Sequence, residues 1–120
     1  MAAVELTEQN FEETVAREGI AVVDFWAPWC EPCLEFAPVF ERVADQNPDI
    51  LFGKVDTDAN PDLMESFDVA AIPMVMVVRD RVVVYSGFGA LPEPILENLL
   101  LQARELDMPT RHEAGGEPAS

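Results

Sequence analysis

Residues 20–26, Ile-Ala-Val-Val-Asp-Phe-Trp, are apolar apart from one aspartate. A strand with one face in solvent alternates apolar and polar residues, whereas a nearly continuous apolar run predicts a strand buried on both faces. Such a strand requires a sheet that is covered by helices on both sides. Pro28 and Pro32 mark the end of the run, and a helix is predicted directly after it, over about residues 31–45.

The remaining segments alternate in the same way. Strands are predicted over about 4–6, 50–55, 74–78 and 82–85, and helices over about 7–17, 61–67 and 92–106. Thr7 is expected to cap the first helix, and Gly19 to end it. Because only three residues separate the last two strands, these strands must form an antiparallel hairpin. The predicted fold class is therefore α/β, with a central mixed β-sheet flanked by helices on both faces.

The helix over about 31–45 has a candidate apolar side. We assign to that side Leu34, Ala37, Val39, Phe40 and Val43. Pro38 lies inside the helix and is expected to kink it, because proline offers no backbone N–H and crowds the preceding turn.

The length of 120 residues fits one domain, which we place at 1–106, followed by a flexible C-terminal tail at 107–120. The sequence has no apolar stretch of the length that crosses a membrane and no signal-peptide pattern, so we expect a cytoplasmic protein. The formal net charge is −16. This charge repels phosphate backbones and argues against nucleic acid as a partner.

The chain contains two cysteines, Cys30 and Cys33, and one histidine, His112, in the predicted tail. These are too few for a disulfide scaffold or a four-cysteine zinc site, which leaves a redox or catalytic pair. Cysteines three apart on a helix share a face. Cys30 would lie at the helix start, where free N–H groups favour a thiolate nucleophile, and Cys33 would lie one turn further in.

Five motifs carry a resemblance to a known family. They are Val23-Asp24-Phe25-Trp26-Ala27-Pro28-Trp29-Cys30-Glu31-Pro32-Cys33, Ala37-Pro38, Lys54-Val55-Asp56, Ile72-Pro73 and Gly89-Ala90-Leu91. In this order and spacing they resemble the thioredoxin family over about residues 4–106. The resemblance implies the thioredoxin fold and a protein-disulfide reductase, with Cys30 as the attacking thiol and Cys33 as the resolving thiol.

The resemblance also implies supporting roles. Asp24 would be a buried acid–base group that takes the proton of Cys33, although a structural hydrogen bond at a strand edge is the alternative. Lys54 would pair with Asp24, or else extend to the surface. Pro73 would be a cis-proline beside the cysteines, rather than a trans-proline that begins a strand.

A docking surface for the substrate is implied around the cysteines. We expect it to comprise Trp29, Ile72, Pro73, Phe88, Gly89 and Ala90, with the backbone at Ile72 and Pro73 open to strand pairing by a substrate peptide. The expected partners are disulfide-containing proteins and a thioredoxin reductase that holds the NADPH and flavin. The chain itself is expected to bind no cofactor or metal and to be a monomer.

Other functions remain open at this stage. The same fold serves thiol oxidants and isomerases, and the apolar patch also suits a binding or chaperone module without turnover. A metal or iron–sulfur centre shared between two chains is a further alternative.

Three residues depart from the family pattern. Glu31 replaces the usual glycine, Met74 replaces the usual threonine, and Arg81 replaces a turn glycine. The Glu31 carboxylate opposes a thiolate at Cys30, so a slightly more reducing protein is expected. The loss of a hydroxyl at Met74 bears on substrate preference, and Arg81 leaves the type of the hairpin turn open.

Overall fold

The computed structural model describes residues 2–106, and the predicted tail at 107–120, with His112, lies outside the described residues. The five strands are β1 (Val4–Leu6), β2 (Ile20–Trp26), β3 (Leu51–Asp56), β4 (Met74–Arg79) and β5 (Val82–Phe88). The four helices are α1 (Phe11–Val15), α2 (Glu31–Gln46), α3 (Pro61–Ser66) and α4 (Glu93–Glu105). No helix within residues 2–106 is long and apolar enough to cross a membrane.

The strands form one sheet in the order β1-β3-β2-β4-β5. β3 pairs parallel to β1 and β2, whereas β4 pairs antiparallel to β2 and β5. The sheet is therefore mixed, as predicted. The parallel register places Asp24 directly beside Lys54 and Trp26 beside Asp56.

Each face of the sheet carries its own apolar core, which explains the apolar run in β2. Val22 packs with residues of α2 and α4 on one face, and Val23 and Phe25 pack with residues of α1 and β4 on the other. Because successive strand residues point to opposite faces, a strand between two such cores must be apolar at nearly every position. The predicted fold class is confirmed.

The buried side of α2 differs from the predicted one. Its buried residues are Cys33, Phe36, Phe40, Val43 and Ala44. Leu34, which we assigned to the core, is 48% exposed. The buried residues recur at helical spacing from Cys33, and Leu34 lies one position off that line. Pro38 lies within the helix, as predicted.

The first helix is shorter than predicted at both ends. The Thr7 carbonyl accepts hydrogen bonds from the N–H groups of Asn10 (3.2 Å) and Phe11 (2.9 Å), and the Asn10 side chain accepts one from the Thr7 N–H (2.7 Å). These bonds close a turn, so the helix begins only at Phe11. The assignments of Thr7 as cap and Gly19 as helix end are wrong, since Gly19 follows the helix by four residues.

The β4–β5 hairpin turns through Asp80 and Arg81, because Arg79 pairs with Val82. Asp80 and Arg81 have φ values of +52° and +71°. Two central residues at positive φ define a type I′ turn, which answers the question that Arg81 left open. Asp80 also accepts a hydrogen bond from the Gly19 N–H (2.8 Å).

Candidate active site

Cys30 and Cys33 lie where β2 passes into α2. The chain leaves the sheet at Trp26, and the Cys30 N–H donates to the Ala27 carbonyl (3.1 Å). Cys30 is the N-cap of α2, and its Sγ accepts a hydrogen bond from the Cys33 N–H (3.3 Å). A cap sulfur that receives a helix N–H is in the position where a thiolate is stabilised.

The two cysteines form a disulfide, with Cα atoms 5.2 Å apart. Cys30 is 5% exposed and Cys33 is 1% exposed, and both pack with Ala27, Trp26 and Ile72. Of the two sulfur-bearing residues, Cys30 is thus the more accessible. The structure therefore brings together the predicted pair in the predicted order of access.

Asp24 is completely buried in β2, two residues before the strand ends, and neither of its carboxylate oxygens has a hydrogen-bond partner within the described part of the chain. Burial raises the pKa of the Asp24 carboxyl from an ordinary 3.8 to about 7, and the positive charge of Lys54 partly opposes that rise. Asp24 lies on the central strand of the sheet and makes no structural hydrogen bond within residues 2–106, which argues against the alternative interpretation of this residue. A carboxyl that titrates near neutral pH is suited to acid–base work.

Lys54 is half-buried on β3, beside Asp24 in the register. Its Nζ lies 4.7 Å from the centroid of the Trp26 ring, a cation–π arrangement. No ion pair joins Lys54 to Asp24 in residues 2–106. Lys54 therefore acts on Asp24 through its charge across neighbouring strands, and Trp26 holds the ammonium in place.

A groove beside Cys30, which we name the Cys30 groove, is bounded on one side by Trp29. Its lining residues are Trp29, Cys30, Glu31, Pro32, Thr57, Asp58, Met64, Ala70, Ala71 and Ile72. The Trp29 side chain is 69% exposed, and its indole Nε1–H donates to Asp58 Oδ2 (2.9 Å). This hydrogen bond fixes an exposed aromatic ring in the groove that Cys30 lines.

Asp58 was not among the predicted site residues. It lies in the loop after β3, and its own N–H donates to Asp56 Oδ1 (2.9 Å). A signal for it existed in the sequence. Because β2 and β3 are parallel, the residues that follow them meet at one edge of the sheet, and Cys30 and Asp58 both follow a strand closely.

Ile72 lines the Cys30 groove and packs against both cysteines, and Pro73 follows it in the chain. The Ile72–Pro73 peptide bond is cis, as the family resemblance implies. The Pro73 carbonyl accepts a hydrogen bond from the Gly89 N–H (2.7 Å), whereas the N–H and C=O of Ile72 have no such bond within residues 2–106. The open backbone that we expected at this edge is therefore confined to Ile72.

Phe88, Gly89 and Ala90 are exposed at the end of β5, and Phe88 is paired with Met74 across the hairpin. Gly89 has a φ of +103°, which favours glycine, and its contact with Pro73 holds this loop beside the cis bond. None of the three lines the Cys30 groove. Of the six predicted docking residues, Trp29 and Ile72 therefore line the groove, whereas Pro73, Phe88, Gly89 and Ala90 lie outside it.

Residues 2–106 contain no group of three or more side chains arranged to hold a metal ion. Met74 is buried and packs with the core on the α1 side of the sheet, and Glu31 is exposed on the first turn of α2. The chemistry available here is that of the two sulfurs, one buried carboxyl and a partly apolar groove.

Comparison with known proteins gives one consistent result. The thioredoxin family profile matches residues 2–101. A putative thioredoxin 2 of Streptomyces coelicolor is 50% identical over 107 residues, which cover 89% of this chain and 80% of that protein. The thioredoxin of Bacillus subtilis is 38% identical over 101 residues, 83% of this chain and 96% of that one. The X-ray structure of Fasciola hepatica thioredoxin, 31% identical, superposes with a TM-score of 0.78 over 83% of this chain and 98% of the other.

Proposed function

This chain belongs to the thioredoxin family, and from that membership we propose which residues carry its reaction. The chain is a protein-disulfide oxidoreductase that acts by thiol–disulfide exchange. Cys30 is the attacking nucleophile, Cys33 the resolving thiol and Asp24 the proton acceptor. The observation that carries these roles is the disulfide at the start of α2, in which Cys30 caps the helix and Cys33 is buried behind it.

The first step uses the Cys30 thiolate, which the N–H groups at the start of α2 stabilise. It attacks one sulfur of a substrate disulfide, the substrate S–S bond breaks, and the other substrate sulfur leaves and takes up a proton. The product is a mixed disulfide between Cys30 and the substrate. The exposed indole of Trp29 and the free backbone of Ile72 give the substrate an apolar surface and a strand-pairing edge.

The second step requires the buried Cys33 to lose its proton. Asp24 accepts it through water, since a carboxyl with a pKa of about 7 is partly ionised at neutral pH. The Cys33 thiolate attacks Cys30 Sγ and releases the second substrate sulfur, which is protonated. Two thiols of the chain are oxidised to the Cys30–Cys33 disulfide and one substrate disulfide is reduced to two thiols.

Renewed turnover needs an external two-electron donor, which we expect to be a thioredoxin reductase that carries the NADPH and flavin. This chain then binds no cofactor, metal, nucleic acid or membrane. We expect the chain to be cytoplasmic, since a dithiol that reduces other proteins needs a reducing compartment. We also expect it to be a monomer.

Cysteine variants test the assigned roles. Cys30→Ser is expected to reduce a peptide disulfide no faster than buffer, because no nucleophile remains at the helix start. Cys33→Ser is expected to stop at the mixed disulfide, which mass spectrometry detects as a covalent adduct. An adduct on Cys33 in the Cys30→Ser variant, at the wild-type rate, would reverse the two roles.

The direction of the reaction is tested by the equilibrium potential of the Cys30–Cys33 couple in dithiol buffers, followed by the fluorescence of Trp26 and Trp29. A value near about −270 mV is expected for a reductase. A value between roughly −180 and −120 mV would instead indicate an isomerase or oxidant. If the Cys30–Cys33 disulfide does not form reversibly, the proposed enzyme function is wrong, and a binding or chaperone function takes its place.

A further inference from the structure

A second groove continues the Cys30 groove along α3. It shares Met64 and Ala70 with the Cys30 groove and extends past Val69 to Glu65 and Asp68. We name the two together the α3 channel. Met64 and Ala70 border both grooves, so a polypeptide whose disulfide lies at Cys30 can pass over these two residues and place its flanking segment in the second groove.

The charges along this channel all have one sign. Four carboxylates line it, Glu31 and Asp58 beside Cys30 and Glu65 and Asp68 further along α3. None of the six lysine and arginine side chains in residues 2–106 lines either groove. The channel therefore offers a substrate negative charge without a compensating cation.

Four of the six described cations are engaged elsewhere. Lys54 lies over the Trp26 ring, Arg42 pairs with Glu93, and Arg104 pairs with Asp49. Arg79 donates to carbonyl groups at the end of α4. The channel is also lined by apolar residues, among them Met64, Ala70 and Ile72. Apolar contact and unbalanced negative charge together match a segment that carries both apolar and basic side chains.

We propose that the α3 channel selects substrates whose disulfide is flanked by lysine or arginine. This inference rests on the proposed function and adds a substrate class to it. The selection acts mainly on the rate of encounter, because the four carboxylates attract a cationic segment before the sulfurs react. It weakens in salt, since exposed charges are screened over about 8 Å at physiological ionic strength.

The test uses three synthetic peptides with one intramolecular disulfide. They are identical except for the two residues on each side of the disulfide loop, which are lysine, glutamine or glutamate. The full chain is reduced with dithiothreitol and desalted, and the rate of peptide reduction is measured in about 0.02 M and about 0.5 M salt. At low salt we expect the lysine peptide to react about tenfold faster than the glutamate peptide. At high salt the ratio is expected to fall to about twofold.

A matched pair of variants separates the channel from the overall charge of the protein. Glu65→Gln with Asp68→Asn removes two carboxylates from the channel, and asparagine tolerates the positive φ of +53° at Asp68. Glu97→Gln with Glu105→Gln removes two exposed carboxylates from α4, outside the channel. The first variant is expected to lower the lysine-to-glutamate ratio at least threefold, and the second to leave it within the error of wild type.

The outcomes are distinguishable. Equal rates for the three peptides with the wild-type chain, or an equal fall of the ratio in both variants, would overturn the channel and leave the reductase intact. Failure to reduce any of the peptides, including the glutamine peptide, would overturn the proposed function and the substrate class with it.

Discussion

The two ends of the β-sheet differ in the hydrogen bonding of their polar groups. At the end near the cysteines, Asp24 is buried without a hydrogen bond, Trp29 is exposed and the Ile72 backbone is unpaired within the described chain. At the other end, where β2 begins and β4 finishes, the Asp80 carboxylate accepts from the Gly19 N–H, and the Asp80 N–H donates to the Gly19 carbonyl. Arg79 there binds the last turn of α4.

On the function proposed above, this difference separates the residues that stabilise the fold from those that take part in the reaction. A buried carboxyl without a partner costs free energy whenever it is ionised, and an exposed indole contributes little to the core. Such features persist where the reaction needs them, while the rest of the molecule provides the compensating stability. Substitutions at the cysteine end should therefore affect activity strongly, and substitutions at the other end should affect stability alone.

Asp24→Asn should give the largest effect on stability. The Asp24 pKa is about 7 in the folded protein, against an ordinary 3.8, so the folded state retains a proton that the unfolded state releases between these values. Stability is therefore lost as the pH rises through this window, by about 4 kcal/mol in total. Urea unfolding of the oxidised protein should show the variant more stable by up to about this amount at pH 8, with the gain nearly absent at pH 4. Peptide reduction should be slower.

Asp49→Asn is the matched control for that experiment. Arg104 holds the pKa of Asp49 below its ordinary value, chiefly through a side-chain hydrogen bond. The folded state is then stabilised when Asp49 is ionised, and this contribution is lost as the pH falls. The asparagine variant should be slightly less stable at neutral pH, with the opposite sign to Asp24→Asn. A loss of stability in Asp24→Asn at pH 8 would contradict our account of the buried carboxyl.

Arg79→Ala examines the other end of the sheet. Its guanidinium donates to the carbonyls of Ala103 and Leu106, at the negative end of the α4 dipole. Loss of these charge-assisted bonds should lower the free energy of unfolding by about 2 kcal/mol and leave peptide reduction unchanged. Arg42→Ala, which breaks the exposed pair with Glu93, should cost less than about 1 kcal/mol. Equal losses in the two variants would show that Arg79 does not secure α4.

Arg81→Gly should raise the free energy of unfolding, by less than Arg79→Ala lowers it. The φ of +71° is unfavourable for arginine and suits glycine, so thermal unfolding should show a gain of about 0.5–1 kcal/mol. Asp80→Gly also relieves a positive φ, but it removes the bond to the Gly19 N–H and should bring no gain. If Asp80→Gly proved the more stabilising of the two, the Asp80–Gly19 contact would be unimportant.

Much of this fold follows from local sequence pattern, and the exceptions have physical causes. The β2–α2 unit was predictable because an apolar run, prolines and a helical repeat are local signals. The start of α1 was not, since side-chain bonds of Asn10 compete with the helix at Thr7. Leu34 was misassigned because the orientation of α2 is set by the buried Cys33 and Phe36. The orientation of α2 depends on how the helix packs against the sheet, and helical spacing alone does not determine that packing.

The site divides in the same way. Cys30, Cys33, Asp24 and Pro73 were predicted because each carries a local signal, whether spacing, an acid in an apolar strand or a family motif. The Trp29–Asp58 bond joins residues that are distant in sequence. Phe88 and Ala90 do not line the Cys30 groove, and their position depends on the hydrogen bond between the Gly89 N–H and the Pro73 carbonyl, which are also distant in sequence. Single residues were thus predictable, while their grouping into a groove required the tertiary structure.

The smallest predicted effect concerns the first turn of α2. Glu31 is exposed beside Cys30, and its negative charge opposes a thiolate at Cys30. Compared with a neutral residue at this position, the carboxylate therefore destabilises the reduced protein and favours the disulfide. Glu31→Gly should therefore raise the reduction potential by roughly 10 mV in dithiol buffers. Glu31→Gln removes the charge without the added backbone freedom of glycine, so it should reproduce most of the rise if charge is the cause. An unchanged or lower potential in both variants would show that Glu31 does not contribute to the reduction potential of the Cys30–Cys33 couple. The start of α2 and the burial of Cys33 would then set that potential.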